Sequence, residues 1–146
     1  MKKTLLLATT LACSGVVAQE KEIWACQGVE SQGFIYRSND WDVALFKNEN
    51  ITLTLDPVMN QQYSYAATLE IVGKKTPNNL LLCKLESEQT YYVEFLHCTL
   101  PVNDPRTFSL DMKTGKAIYS NTLGFFDNDL QENTSVTLST YHCTKF

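Results

Sequence analysis

The sequence predicts an all-β, mainly antiparallel domain, built as a small barrel or a sandwich with one short helix at most. Short segments rich in β-branched and aromatic residues recur along the chain, and Asn, Asp, Ser and Gly separate them. Four cysteines follow an N-terminal apolar stretch, which predicts two disulfides in an exported domain of this size. An antiparallel sheet held by cross-links is therefore the expected framework.

The first 18 residues have the pattern of an export signal. Lys2 and Lys3 precede an apolar run over residues 5–17, and Val16 and Ala18 fit the positions before a signal-peptidase cut. The run of roughly 13 residues is shorter than the ~20 that span a bilayer. The short basic start is typical of bacteria, so residues 19–146 are expected to form a single domain that is periplasmic or secreted.

Cys13 leaves an alternative route open. Ala12 is the small residue that a lipoprotein signal places before its acylated cysteine, whereas Thr10 and Leu11 match that signal poorly. Acylation of Cys13 would anchor the protein to a membrane. We favour plain secretion.

The charge of the expected mature chain limits its partners. Removal of Lys2 and Lys3 leaves 10 basic against 16 acidic side chains, and no basic stripe remains. Nucleic acid and anionic lipid are therefore not expected as partners. No second apolar run follows the signal, so no transmembrane segment is expected after signal removal.

Eight segments have the composition and alternation of strands. In residues 51–56 the apolar side chains of Ile51, Leu53 and Leu55 share one face and polar side chains share the other, which predicts a half-buried strand. The clearest hairpin signal is residues 113–115, where Gly115 supplies the positive φ that a tight turn needs. The segments are residues 33–37, 41–47, 51–56, 79–86, 90–98, 107–112, 116–121 and 134–143.

Residues 57–72 fit two structures. Asp56 resembles a helix N-cap, Pro57 a first helical residue and Gly73 a helix end, so the pattern favours a short helix. The end of the segment, "ATLEIV", also alternates as a strand does.

The cysteines Cys26, Cys83, Cys98 and Cys143 have the spacing of a disulfide framework, since no C-x-x-C pair is present. Three connectivities remain open, of which we favour Cys26–Cys143 with Cys83–Cys98. The second pair meets an objection. A tight hairpin turning at residues 87–88 would place Cys83 opposite Tyr92, about 20 Å from Cys98 and beyond disulfide reach.

His97 and His142 each precede a cysteine in the triplet His-Cys-Thr. In a strand each histidine points away from the face of its cysteine. If Cys98 and Cys143 were neighbours, the two histidines would form a weak zinc or copper half-site; otherwise they are solvent-exposed strand residues. We favour the second interpretation, and no metal or other cofactor is predicted.

Residues 124–133, "GFFDNDLQEN", form a candidate binding loop. Phe125 and Phe126 cannot both point inward in a strand, so one of them could contact a partner, but the favoured interpretation is that both pack beneath a loop that turns between them. Asp127 and Asp129 resemble the start of a calcium loop, but the glycine of that motif is missing, which favours a solvated acidic turn.

No enzyme motif is present. The sequence lacks a G-x-S-x-G elbow, an H-E-x-x-H pair and a glycine-rich phosphate loop. Asp40 and Asp42 flank Trp41, so a hydrolase that uses carboxylates near Trp41 stays an alternative.

Three segments resemble a family of small exported gammaproteobacterial proteins that has no established activity. They are residues 23–27 ("IWACQ"), 109–117 ("SLDMKTGKA") and 141–146 ("YHCTKF"). The resemblance implies secretion and a shared β framework, and it supplies no site residues.

These observations predict a non-enzymatic binding or interaction protein of the bacterial envelope. Its expected partner is a protein or a small ligand, reached through a loop such as residues 124–129. A sharper form is inhibition of an extracytoplasmic hydrolase, for which a rigid cross-linked scaffold is suited. The alternative is the carboxylate-dependent hydrolase acting in the envelope.

Overall fold

The computed structural model describes residues 20–58, 60, 62–74, 79–88, 93–101, 104–125 and 134–146. The predicted export signal and Cys13 lie outside these residues. Nine strands are present in this part of the chain: β1 (Glu22–Arg37), β2 (Asp40–Leu45), β3 (Ile51–Pro57), β4 (Tyr65–Ile71), β5 (Asn79–Glu88), β6 (Val93–Thr99), β7 (Thr107–Asp111), β8 (Lys116–Asn121) and β9 (Ser135–Lys145).

Eight of the strands close into an antiparallel barrel. Each strand from β3 to β8 pairs with the next one along the chain, and β9 returns to pair with β1. β1 is long enough to have two partners on its other edge. Its residues 22–26 pair with β3, and its residues 32–37 pair with the extra strand β2. The predicted all-β class is confirmed. Of the two predicted architectures, a small barrel or a sandwich, the barrel is correct.

Alternation along the strands separates the barrel interior from its outer surface. In β3 the residues Ile51, Leu53 and Leu55 are at most 2% exposed, whereas the threonines between them are only half-buried. The interior is a single cluster of apolar residues contributed by every barrel strand. The predicted half-buried strand at residues 51–56 is thus confirmed.

The predicted helix at residues 57–72 is wrong. Pro57 ends β3, and Tyr65 begins β4, which pairs with β3 and with β5. The alternation of "ATLEIV" correctly indicates a strand, because Ala67 and Leu69 fill inward positions of the barrel. The only helical element among the described residues is the 3-10 turn Leu123–Phe125.

Both favoured disulfides are formed. Cys26–Cys143 joins β1 to β9, and Cys83–Cys98 joins β5 to β6, each between residues directly opposite in the register. The objection from hairpin geometry fails because the turn lies elsewhere. β5 continues to Glu88, so the connection to β6 is residues 89–92 and not 87–88.

Two tight turns have the backbone that their sequences indicate. Ser38 and Asn39 both have positive φ, which is typical of the two-residue hairpin that joins β1 to β2. Gly115, at φ 72°, turns β7 into β8, and a side chain there would collide with the Cys143 carbonyl. The predicted hairpin at residues 113–115 is therefore confirmed. In the described parts of the chain, no helix has the length and hydropathy needed to cross a membrane.

Candidate functional site

A cleft of about 450 Å³ opens at one end of the barrel. The last residues of β4, β6 and β8 and the first residues of β3, β5, β7 and β9 lie at this end, which we call the mouth. The residues that line the cleft are Ser31, Phe46, Lys47, Glu49, Ile51, Leu69, Ile71, Arg106, Tyr119, Asn121, Thr137, Ser139 and Tyr141.

The cleft exists because the inward positions near the mouth carry small or polar side chains. On β1 and β9 these positions include Ser31, Gly33, Thr137 and Ser139. Ser31 is the buried polar residue of the described chain, and its hydroxyl lies 2.8 Å from the Ser139 hydroxyl. The paired hydroxyls satisfy each other, so this part of the interior stays polar without an unsatisfied buried group.

An ion pair fixes one wall of the mouth. Arg106 Nε donates to Asp104 Oδ1 at 2.9 Å, and Arg106 Nη2 donates to Asp104 Oδ2 at 2.7 Å. The hydrogen bonds from Arg106 hold the pKa of Asp104 below its usual range. Because the contact uses two nitrogens of the fork, the guanidinium is held in one orientation toward the cleft.

Two tyrosines supply neutral hydroxyls to the same space. Burial raises the pKa of Tyr119 and of Tyr141, so both hydroxyls keep their protons at neutral pH. Both side chains belong to the cleft lining, together with Arg106 and Ser139. The two phenols can therefore donate a hydrogen bond to a molecule in the cleft or accept one from it.

The opposite wall is apolar. Ile51 and Leu69 are at most 5% exposed, and Phe46 and Ile71 lie beside them in the cleft lining. Glu49 is the one carboxylate among the described lining residues, and it forms an ion pair with Lys74. The arrangement can hold a small molecule that places oxygen atoms against Arg106 and the tyrosines and an apolar part against the other wall.

The predicted binding loop is described only in part. Phe125 is 64% exposed, which does not fit the favoured interpretation that both phenylalanines pack beneath the loop. Its ring lies 6.1 Å from that of Trp41, which lies 5.5 Å from the ring of Tyr36. Phe126, Asp127 and Asp129 lie outside the described residues, so the calcium and acidic-turn interpretations stay predictions.

The two histidines are exposed but far apart. His97 lies on β6, where its Nδ1 is 3.0 Å from the Ser109 hydroxyl, and His142 lies on β9. Two strands separate β6 from β9, so the histidines are roughly 14 Å apart at ordinary strand spacing. The zinc or copper half-site required Cys98 and Cys143 to be neighbours, and each is bonded to a different cysteine. Among the described residues, no group of three metal-binding side chains occurs.

Asp40 and Asp42 lie on β2, outside the cleft. Both are exposed, and Asp40 Oδ1 accepts a hydrogen bond from the Trp41 amide. Neither belongs to the described lining of the mouth, where Glu49 stands without a second carboxylate. The geometry of the described residues therefore gives no support to a carboxylate pair near Trp41.

Sequence reasoning missed the main cleft residues, although one usable signal was present. Cys143 sets the inward phase of β9, so Tyr141, Ser139 and Thr137 must share its face. Three polar groups in succession on an inward face indicate a polar pocket. Arg106 carries no such signal, because it lies in the connection before β7.

Comparison of the chain with protein-family models, curated proteins and solved structures gives no match. The resemblance to small exported gammaproteobacterial proteins therefore stays a prediction.

Proposed function

We propose that the protein is an exported, non-enzymatic binding protein that holds one small ligand in the mouth of its barrel. The observation that carries the proposal is the cleft of about 450 Å³ at one end of a barrel whose described core is a cluster of buried apolar residues. Eight strands enclose just enough space for side chains or for one small ligand, and ligand sites commonly measure ~300–1,000 Å³.

The lining defines the class of ligand. Arg106 can donate through the N–H groups that Asp104 does not accept from, and the hydroxyls of Tyr119 and Tyr141 can donate or accept, so a ligand with carboxylate, carbonyl or hydroxyl oxygens on one side fits this wall. Ile51 and Leu69 require an apolar group on the other side. We propose a small amphipathic molecule of this kind.

Export is the second part of the proposal. The two disulfides indicate an oxidising, extracytoplasmic compartment. The finer assignment to the periplasm or the medium rests on the signal pattern of the first 18 residues. Contact with a protein partner through Phe125, including inhibition of an extracytoplasmic hydrolase, stays the alternative, and its support is the exposed ring beside Trp41.

A cleft-filling substitution tests the proposal. Ile71→Trp adds an indole to the cleft lining, whereas Ile118→Trp adds the same group to an outer position that is 47% exposed. The probe is anilinonaphthalene sulfonate, an amphipathic anion whose fluorescence rises in apolar sites. We expect Ile71→Trp to weaken probe binding at least about 10-fold, equal to ~1.4 kcal/mol, and Ile118→Trp to leave it unchanged.

Native mass spectrometry of protein purified from its export compartment provides a second readout. We expect wild-type protein and Ile118→Trp to carry an extra mass that is lost on denaturation, and Ile71→Trp to lack it. The proposal fails if wild-type protein carries no extra mass and both variants bind the probe equally well.

A further inference from the structure

β2 presents an open edge. Among the described strands it pairs with β1 alone. The Phe46 amide donates to the Ser31 carbonyl at 2.9 Å, just beyond the β2 pairing, so the even-numbered residues of β2 direct their backbone groups at β1. The N–H and C=O groups of Trp41, Val43 and Leu45 therefore point away from β1, toward the open edge.

The side chains of the same three residues share one face. Val43 and Leu45 are 77% and 80% exposed, and Val43 lies opposite Phe34 of β1, which is 48% exposed. Phe34 in turn lies opposite Val136 of β9. An open strand edge beside an apolar surface is a template for pairing with another strand.

We infer that β2 pairs antiparallel with β2 of a second copy of this chain, about a two-fold axis at Val43. In an antiparallel pair, a residue whose N–H and C=O groups point at the partner strand lies opposite a residue whose groups point back at it. Odd-numbered residues of one β2 therefore lie opposite odd-numbered residues of the other. An axis at Val43 places Val43 opposite Val43 and Trp41 opposite Leu45 of the second copy. This register forms about six backbone hydrogen bonds, two of them after the Trp41 amides exchange their bonds to the Asp40 carboxylates. It brings only apolar side chains together on the exposed face.

The other registers are weaker. An axis at Asp42 places the two Asp42 carboxylates directly opposite each other, and an axis at Trp41 places Asp40 opposite Asp42. Like charges in these positions destabilise a pair of strands. An axis at Ala44 avoids the repulsion but loses one of the three hydrogen-bonded pairs. The sequence of β2 is thus complementary to itself in one register.

The contact is small, and this sets the expected affinity. One pair of six-residue strands buries less than the ~1,200 Å² of a standard interface, so the dimer should be weak, with a dissociation constant on the order of 10 μM. Residues Asp40–Leu45 do not line the cleft, so the dimer is independent of the proposed ligand site.

Cross-linking tests the register. Directly opposite hydrogen-bonded residues have Cα atoms about 5.5 Å apart, which suits a disulfide. The four cysteines described in the structure are already paired, so Val43→Cys adds a free thiol to the open edge. We expect Val43→Cys to form a covalent dimer under mild oxidation, and Val72→Cys, 63% exposed and off the edge, to stay monomeric.

Sedimentation equilibrium tests the edge itself. Val43→Pro removes an N–H that points away from β1, so the β1–β2 hairpin keeps its own hydrogen bonds. We expect Val43→Pro to weaken the dimer at least about 10-fold. Leu138→Lys changes the outer face of β9 without touching the edge, and it should change the dissociation constant less than about 3-fold.

Two results would overturn the inference. One is a wild-type protein that stays monomeric up to about 0.5 mM, where a dimer of this affinity would dominate. The other is a dimer that Leu138→Lys abolishes and Val43→Pro leaves intact, because it would show that the outer faces pack together instead of the edges.

Discussion

The barrel interior is packed differently at its two ends, although the same alternation of side chains directs residues inward at both. Away from the mouth, Leu53, Leu55, Leu96 and Leu110 are fully buried and fill the space between the strands. Near the mouth, serine, threonine and tyrosine hydroxyls take the inward positions, and a cleft remains. One end is therefore densely packed with apolar side chains, and the other end leaves a cleft.

The largest expected effect comes from the disulfide that closes the barrel. Cys26–Cys143 joins residues 117 apart in sequence, against 15 for Cys83–Cys98. In the chain-entropy model the first should contribute about 4–5 kcal/mol and the second about 3 kcal/mol. Urea unfolding of the two double alanine variants should show this order, and a larger loss for the Cys83–Cys98 pair would contradict it.

Truncation of a core side chain at the filled end should lower the free energy of unfolding nearly as much as removal of the Cys26–Cys143 disulfide. Leu55→Ala removes a fully buried side chain at the filled end, so the free energy of unfolding should fall by about 2–5 kcal/mol. Thr137→Ala, at a half-buried mouth position, should change it by less than about 0.5 kcal/mol. Equal losses in urea unfolding would show that the two ends pack alike, and the comparison would then fail.

The ion pair of the mouth should contribute less. Arg106 and Asp104 have side chains 22% and 18% exposed, so Asp104→Asn should destabilise the protein by about 1 kcal/mol. Because the pKa of Asp104 is lowered in the folded state, its contribution is present above the unfolded pKa of about 3.9 and is lost as the pH falls through the folded value. Wild-type and variant stabilities should therefore converge in acid, and a constant difference down to about pH 2 would contradict this account.

The smallest effect concerns Tyr119. Burial raises the pKa of this phenol, so the stability that depends on its neutral form is complete below about pH 10 and is lost as the pH rises through the folded pKa. Tyr119→Phe should therefore lose less stability than wild-type protein between about pH 9 and pH 11 in urea unfolding. Parallel curves for the two proteins would show that Tyr119 is not shielded from water.

Local patterns predicted the framework well. The alternation in residues 51–56 and the glycine of residues 113–115 are short-range signals, and both elements form as expected. The helix prediction for residues 57–72 failed because a proline after an acidic residue also suits the end of a strand. Pairing with β3 and β5 then favours strand for residues 65–71, and these long-range partners cannot be identified from a window of sequence.

The cleft was harder to predict because it depends on closure. Ser31 and Ser139 are 108 residues apart, and only the pairing of β1 with β9 brings their hydroxyls together. The inward phase of β9 could have been assigned from Cys143. The position of Arg106 could not, since a connecting segment has no alternation to follow.

Mapping probe binding onto the backbone amides tests the central claim most directly. A titration of ¹⁵N-labelled protein with anilinonaphthalene sulfonate should shift the amide resonances of Tyr119, Thr137, Ser139 and Tyr141 together, with one dissociation constant. Shifts confined to the outer residues Phe34, Val43 and Leu138, with the mouth unchanged, would contradict the assignment of the barrel mouth as the ligand site.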